Sequence, residues 1–126
     1  MKILQIIESA FRGTIEEQDD AVIWLTHAMK GAGGDISVLL RGNAVASAAK
    51  GQDASGLNIG DWKQTQPPDI VGQVGGLVGK GVAVHYIEEE AAERGLKAGD
   101  LIEGLKPISR DGLAELLGSH DQVWHW

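Results

Sequence analysis

The stretch that most constrains the fold is residues 81–96, GVAVHYIEEEAAERGL. From Val82 to Ile87 the run is short and largely apolar, with the β-branched and aromatic residues that favour a strand. It continues as EEEAAER, a helix-forming segment that Gly95 is suited to end. In an open α/β sheet, ligands bind where strands end and helices begin. We therefore expect part of any functional site to lie at this junction.

Strand and helix patterns alternate along the rest of the chain. Buried strands are predicted at Ile3 to Ile7 and Ile36 to Leu40, and further strands at Leu101 to Leu105 and Asp121 to Trp126. This alternation predicts βαβ units, a parallel sheet and right-handed crossovers. Because no repeat or linker divides the sequence, residues 1–126 are expected to form a single domain.

Three helices are predicted between these strands. Glu16 to Met29 carries small and apolar residues at helical spacing, namely Ala21, Trp24, Leu25, Ala28 and Ala32. Asp69 is suited to cap a helix over Ile70 to Gly79, and Ser109 is suited to cap a last helix near the end of the chain. Helical segments in these places would cover the sheet.

Composition argues against several functions. A net charge of −7 gives no basic surface for direct nucleic-acid binding. The absence of cysteine removes disulfides and thiol nucleophiles and is consistent with a cytoplasmic protein. No apolar run suits a signal peptide or a membrane span. The four histidines lack ligand spacing and no nucleotide-binding loop is complete, so no metal and no cofactor are predicted.

Two arginines follow predicted strands. Arg12 lies just after the first strand and Arg41, with Asn43 close behind it, after the second. Because parallel strands end at one edge of a sheet, the two arginines could face one crevice and hold an anion with nearby backbone N–H groups. The alternative is that both arginines form ordinary surface ion pairs.

A second group of polar residues lies at the strand-to-helix junction. His85, Glu88 and Glu89 could form a polar wall of a small-molecule, anion or metal pocket, and an enzyme active site is one form of such a pocket. The alternatives are structural: a histidine hydrogen-bonded within the core, and glutamates that stabilise the positive end of a helix dipole.

Tryptophans suggest a subunit interface. Trp62 lies in an irregular, Gly- and Pro-rich segment, and Trp124 and Trp126 lie at the end of the chain. Such residues anchor interfaces, and a long loop in a compact domain is usually functional or an interface. Packing within one subunit is the alternative for all three residues.

The whole pattern resembles the DsrE/DsrF family. The resemblance is carried by MKILQIIESA, the EEQDD-led helix, DISVLLRGNAV, the 81–96 unit and DQVWHW, and it covers nearly the whole chain. It implies a three-layer α/β/α sandwich with a five-stranded, mostly parallel sheet. It also implies assembly into homo- or hetero-oligomers, and a role in sulfur oxidation or in the sulfur relay for tRNA thiolation.

The same resemblance locates the family's persulfide-carrying cysteine. On this chain that position falls on Ile87, and a second cysteine of some relatives falls near His120, which we count with the three tryptophans as a candidate interface residue. A side chain without sulfur cannot carry a persulfide, so thiol-based sulfurtransferase activity is not expected. The resemblance therefore implies a non-catalytic oligomeric scaffold, a homo-oligomer from dimer to hexamer or a hetero-oligomer with other sulfur-relay proteins.

Overall fold

A computed structural model describes residues 1–10, 16 and 20–126 of the chain. Its strands are β1 (Lys2–Ile7), β2 (Asp35–Leu40), β3 (Asn58–Ile59), β4 (Trp62–Lys63), β5 (Ala83–Ile87), β6 (Lys106–Ile108) and β7 (Gln122–His125). Its α-helices are α1 (Ala21–Gly31), α2 (Ile70–Gly79), α3 (Glu88–Glu93) and α4 (Leu113–Gly118). Short 3₁₀ helices cover Gly42–Ala48, Ala98–Asp100 and Arg110–Gly112.

Five strands form one sheet in the order β6-β5-β2-β1-β7, and every pairing in it is parallel. The α/β class and the five-stranded sheet are thereby confirmed. Strands β3 and β4 form a separate antiparallel hairpin within the irregular segment. Among the described residues, no helix combines the length and the hydropathy that a bilayer crossing requires.

The two faces of the sheet are covered unequally. One face carries the larger core, to which α1, α2, α3 and the 3₁₀ helix Gly42–Ala48 contribute buried side chains. The other face carries a smaller core of Leu4, Ile6, Leu39 and Ile87, against which Ile108 and the leucines of α4 pack. Successive residues of a strand point to opposite faces, so His85 and Ile87 lie on this second face.

The first helix, α1, differs from its prediction in the residue at which it begins and in the side of the helix that is buried. It begins at Ala21, because the Asp20 carboxylate accepts hydrogen bonds from Val22 N and Ile23 N at 2.9 and 3.2 Å. Of the predicted small and apolar face, Ala21, Trp24, Leu25, Ala28 and Ala32, none is fully buried. The buried residues of α1 are Val22, Ile23 and Thr26, so the predicted face was wrong.

The predicted strand at Leu101 to Leu105 was also wrong. Leu101 makes only an isolated antiparallel bridge with Ala49, and the sheet strand in this region is β6, a few residues later. Leu101 is buried in the larger core, which explains why the segment looked like a strand. The predicted caps of α2 and of the last helical segment match: Asp69 accepts from Gly72 N, and Ser109 from Gly112 N.

Candidate functional site

The carboxyl ends of β1, β2 and β5 lie side by side and carry a group of charged residues. We call Glu8, Arg41, Asn43, Glu90 and Arg94 the strand-end cluster. Nε of Arg41 lies 3.3 Å from Oε1 of Glu8, and Nη2 lies 3.1 Å from Oε1 of Glu90. Arg41 is therefore flanked by two carboxylates and offers little uncompensated positive charge to an anion.

Glu90 holds the cluster together from α3. Its side chain is 10% exposed, and its second oxygen accepts a hydrogen bond from Gly42 N at 3.2 Å. Arg94 donates from Nη1 to the Glu90 carbonyl and from Nε to Oδ1 of Asn43, both at 3.0 Å. These contacts fasten α3 to the turn that follows β2.

Sequence reasoning missed Glu90 and singled out its neighbours. Glu88 is exposed, and Glu89 accepts a hydrogen bond from the backbone N–H of Arg110, away from Arg41. Of the three glutamates, the structure buries only Glu90, which lies beside the buried Ala91 on α3. Of the predicted pocket residues, the structure brings together Arg41 and Asn43, which Arg94 and Glu90 connect. Arg12 lies outside the described residues.

His85 lies apart from the strand-end cluster. In the sheet it stands in register between Leu39 and Lys106, and its Nδ1 is buried without a hydrogen-bond partner in the described part of the chain. Burial lowers the pKa of His85, and the nearby charges of Lys106 and His120 lower it further. No hydrogen bond in the described ranges joins His85 to Glu88 or Glu89, so the polar wall stays a prediction.

This environment predicts a pH dependence of stability. Because the pKa of His85 is lower in the folded state than in the unfolded state, the unfolded chain binds the extra proton first. The stability that comes from keeping His85 neutral is fully present above the unfolded pKa of about 6.5. It is lost as the pH falls toward the pKa of His85 in the folded state, and the free energy of unfolding then decreases by at most about 1.4 kcal/mol per pH unit. In urea titrations from neutral to mildly acidic pH, His85→Phe should lose stability less steeply than the parent. Parallel curves for the two proteins would contradict this expectation.

Ile87 occupies the end of β5 and the N-cap position of α3. Its side chain is 0% exposed and packs in the smaller core with Leu4 and Leu39. It makes no capping hydrogen bond to the helix. The position that the resemblance assigns to a reactive cysteine is therefore occupied by an apolar side chain that is buried in the core.

The predicted interface residues lie in three places. Trp62 is 37% exposed on the β3–β4 hairpin, where Leu57 and Ile59 are 55% and 57% exposed; we call these three residues the hairpin tip. His120 lies at the end of α4, with Nδ1 2.9 Å from the Leu116 carbonyl. Trp124 and Trp126 lie in and just after β7. Trp62 is far in sequence from the other three, which lie within seven residues of one another at positions 120–126.

Trp126 reveals a second feature that the sequence analysis missed. Its Nε1 donates to Oε1 of Gln5 at 2.8 Å, and Nε2 of the fully buried Gln5 donates to Oγ1 of Thr26 at 2.7 Å. Thr26 in turn donates to the Val22 carbonyl at 2.8 Å. A polar chain thus links Trp126, the inner strand β1 and helix α1. A single glutamine inside an apolar strand was its only sequence signal.

The cleft beside α2 does not involve the predicted pocket. It has a volume of about 240 Å³ and is bordered by Ala10, Ser47, Asp53, Asp69 and Ile70 among others. None of the described residues that border it belongs to the predicted set. Within residues 1–10, 16 and 20–126, no group of three or more histidine or acidic side chains is arranged to hold a metal ion.

The fold and the strand-end cluster define a class: small, all-parallel, five-stranded α/β proteins whose polar residues gather where the strands end. Two solved structures share this fold along nearly their whole length. The ychN protein from E. coli has a TM-score of 0.73 and 20% identity, covering 99% of this chain and 98% of its own. MTH1491 from Methanobacterium thermoautotrophicum, a protein of unknown function, has a TM-score of 0.60 and 15% identity, covering 99% of this chain and 98% of its own.

These neighbours fit the DsrE-like fold, which the resemblance had implied. At 20% and 15% identity they establish the fold and carry no statement about chemistry. No protein-family model matches the sequence, and no curated protein matches it.

Proposed function

We propose that this protein is a non-catalytic, DsrE-like subunit that assembles into oligomers and binds partner proteins of sulfur oxidation or sulfur relay. One observation carries the proposal: a DsrE-like fold in which Ile87 stands where the resemblance places the persulfide cysteine. An alkyl side chain has neither a lone pair nor an acidic proton and cannot bind sulfane sulfur. The chain has no cysteine elsewhere that could take over.

The packing around Ile87 supports the proposal that the protein is non-catalytic. Reactive cysteines are partly exposed and lie near positive charge, which stabilises the thiolate. Ile87 is fully buried, and three glutamates follow it directly in α3. The surroundings of this position therefore suit a structural side chain and would disfavour a thiolate.

The first test is sulfur loading. After incubation with glutathione persulfide, intact-mass spectrometry should show no added mass of about 32 Da, the mass of one sulfur atom. Ala114→Cys, at an exposed position of α4, is the positive control and should take up sulfur. Ile87→Cys should stay largely unloaded, because burial raises a thiol pKa and limits access. A stable adduct on the parent protein would contradict the proposal.

Oligomer formation is the second part of the proposal. The hairpin tip exposes three large apolar side chains, and Trp24 is 57% exposed on α1. Exposed apolar patches of this kind mark protein–protein contacts. Light scattering at micromolar concentration should give a mass of at least twice 13.4 kDa. A monomer at every concentration, with no binding to sulfur-relay proteins, would refute this part.

A further inference from the structure

The two edges of the sheet differ in how they are protected. At one edge, β6 has three residues, and two of them are Lys106 and Pro107. Lysine and proline are the residues that proteins use to block an edge strand against pairing with another chain. At the other edge, β7 (QVWH) contains no proline, glycine or lysine, and within the described part of the chain it pairs only with β1.

The backbone pattern shows which groups of β7 are open. Trp126 N donates to the Ile6 carbonyl at 2.9 Å, and the Trp126 carbonyl accepts from Glu8 N at 3.1 Å. In a parallel pair, residues whose N–H and C=O both face the neighbour alternate with residues whose groups face away. Val123 and His125 therefore direct their N–H and C=O groups to the open edge. No backbone hydrogen bond from the described residues reaches these groups.

We infer that β7 pairs with β7 of a second copy of this chain, antiparallel and around a two-fold axis at Trp124. The inference rests on the proposed oligomeric function and names its interface. Val123 of each copy lies opposite His125 of the other, so two N–H donors from each copy give four hydrogen bonds between the strands. The two sheets, five strands each, become one continuous sheet.

The register follows from the same hydrogen bonds. An axis centred on Val123 would place His125 opposite Asp121, whose N–H already donates to the Lys2 carbonyl at 2.9 Å. An axis at Trp124 uses every open group of β7 on both copies. It also places Trp124 directly opposite Trp124 of the second copy as a closely spaced pair, a favourable aromatic contact across strands.

A second copy fits this edge better than a foreign extended peptide, because the edge is complementary to itself. Exposed side chains add apolar area at the junction: Val123 is 42% and Trp126 41% exposed. A four-residue strand spans only about 13 Å, so the contact alone is smaller than the roughly 800 Å² per partner of a standard interface. The pairing should therefore be concentration-dependent. Because each copy has a charge of −7, added salt should strengthen it.

Amide hydrogen exchange of the unmodified protein tests the pairing directly. Between about 1 µM and about 500 µM protein, exchange at Val123 and His125 should slow about tenfold or more as the dimer forms. Trp124 and Trp126, whose amides already face β1, are the internal reference and should slow much less than Val123 and His125. If Val123 and His125 exchange equally fast at both concentrations, the inference is overturned.

Two matched variants separate this interface from oligomer formation in general. Val123→Pro removes an outward N–H that β1 does not use and should abolish the dimer in sedimentation experiments. Val123→Thr keeps the N–H and the strand preference and should dimerise like the parent. If Val123→Pro still forms the parent oligomer, the β7 pairing is wrong while the proposed function stands. If the parent is monomeric throughout, the β7 pairing fails, and the proposed function then fails as well only if no sulfur-relay protein binds.

Cysteine substitutions test the register, since the parent chain has none to interfere. Trp124→Cys should form a disulfide-linked dimer on mild oxidation, because its Cα would lie about 4.5 Å from its counterpart. Val123→Cys should not, because the same residue on the second copy would be about 7–8 Å away, too far to bridge. Efficient cross-linking of Val123→Cys with none at Trp124→Cys would reject the proposed axis.

Discussion

Glu90→Ala is expected to lower the free energy of unfolding by about 2–4 kcal/mol, the largest loss that we expect from one surface-proximal charge. Glu90 is the carboxylate that accepts from both Nε and Nη2 of Arg41, at 3.4 and 3.1 Å, and from Gly42 N at 3.2 Å. Alanine leaves the half-buried guanidinium with only the exposed Glu8, and it leaves the turn after β2 without its acceptor. Urea denaturation at neutral pH measures the difference.

Glu88→Ala is the matched control for Glu90, since both lie in the first turn of α3. Glu88 is exposed, so its removal should cost less than about 1 kcal/mol, the scale of a helix-dipole interaction. The loss of unfolding free energy for Glu90→Gln should lie between those for Glu88→Ala and Glu90→Ala, because an amide oxygen still accepts hydrogen bonds but lacks the charge. Equal losses for Glu88→Ala and Glu90→Ala would show that the strand-end cluster does not stabilise the fold.

Gln5→Ala should lower the free energy of unfolding by about 2–4 kcal/mol. Gln5 is 0% exposed, and its amide receives the indole N–H of Trp126 and donates to Thr26. Truncation deletes both hydrogen bonds and leaves a cavity beneath α1. In a domain of this size, the loss corresponds to a thermal midpoint about 10 °C lower, which calorimetry measures.

The effect of Gln5→Ala should also be visible at the chain end. Trp126 would lose its anchor, so its indole fluorescence should shift to longer wavelength and β7 should exchange its amides faster. Gln122→Ala is the control: the side chain of Gln122 is exposed and, among the described residues, accepts one hydrogen bond, from Nε1 of Trp124 at 3.1 Å, so its loss should cost less than about 0.5 kcal/mol. A full-sized loss for Gln122 and none for Gln5 would contradict the polar chain described above.

The segment around Glu90 shows which features a sequence pattern predicts and which it misses. The run Val82 to Ile87 and the helix after it were predictable, because local propensity and burial pointed to the same structure. Glu90 was missed because the three glutamates of EEE have the same intrinsic helix preference. Only the direction of α3 against the sheet decides which of the three faces Arg41.

The first helix shows the same limit. The spacing of Trp24 and Ala28 is helical, yet an equally helical set, Val22, Ile23 and Thr26, is the one that is buried. Gln5 explains part of that choice, since it hydrogen-bonds Thr26 and so favours the rotation of α1 that brings Thr26 onto β1. A contact between residues far apart in sequence leaves no periodic signal within either segment.

The sequence by itself determined the alternation of strands and helices, the α/β class, the caps of α2 and of the last helical segment, and the absence of cysteine. These properties depend on residue types and on neighbours a few positions away. Only the tertiary structure decided that Arg41 is neutralised, that Ile87 is enclosed and that β7 has an open edge. Each of these depends on which distant segments come into contact. Those contacts stabilise the protein only after the whole sheet has assembled.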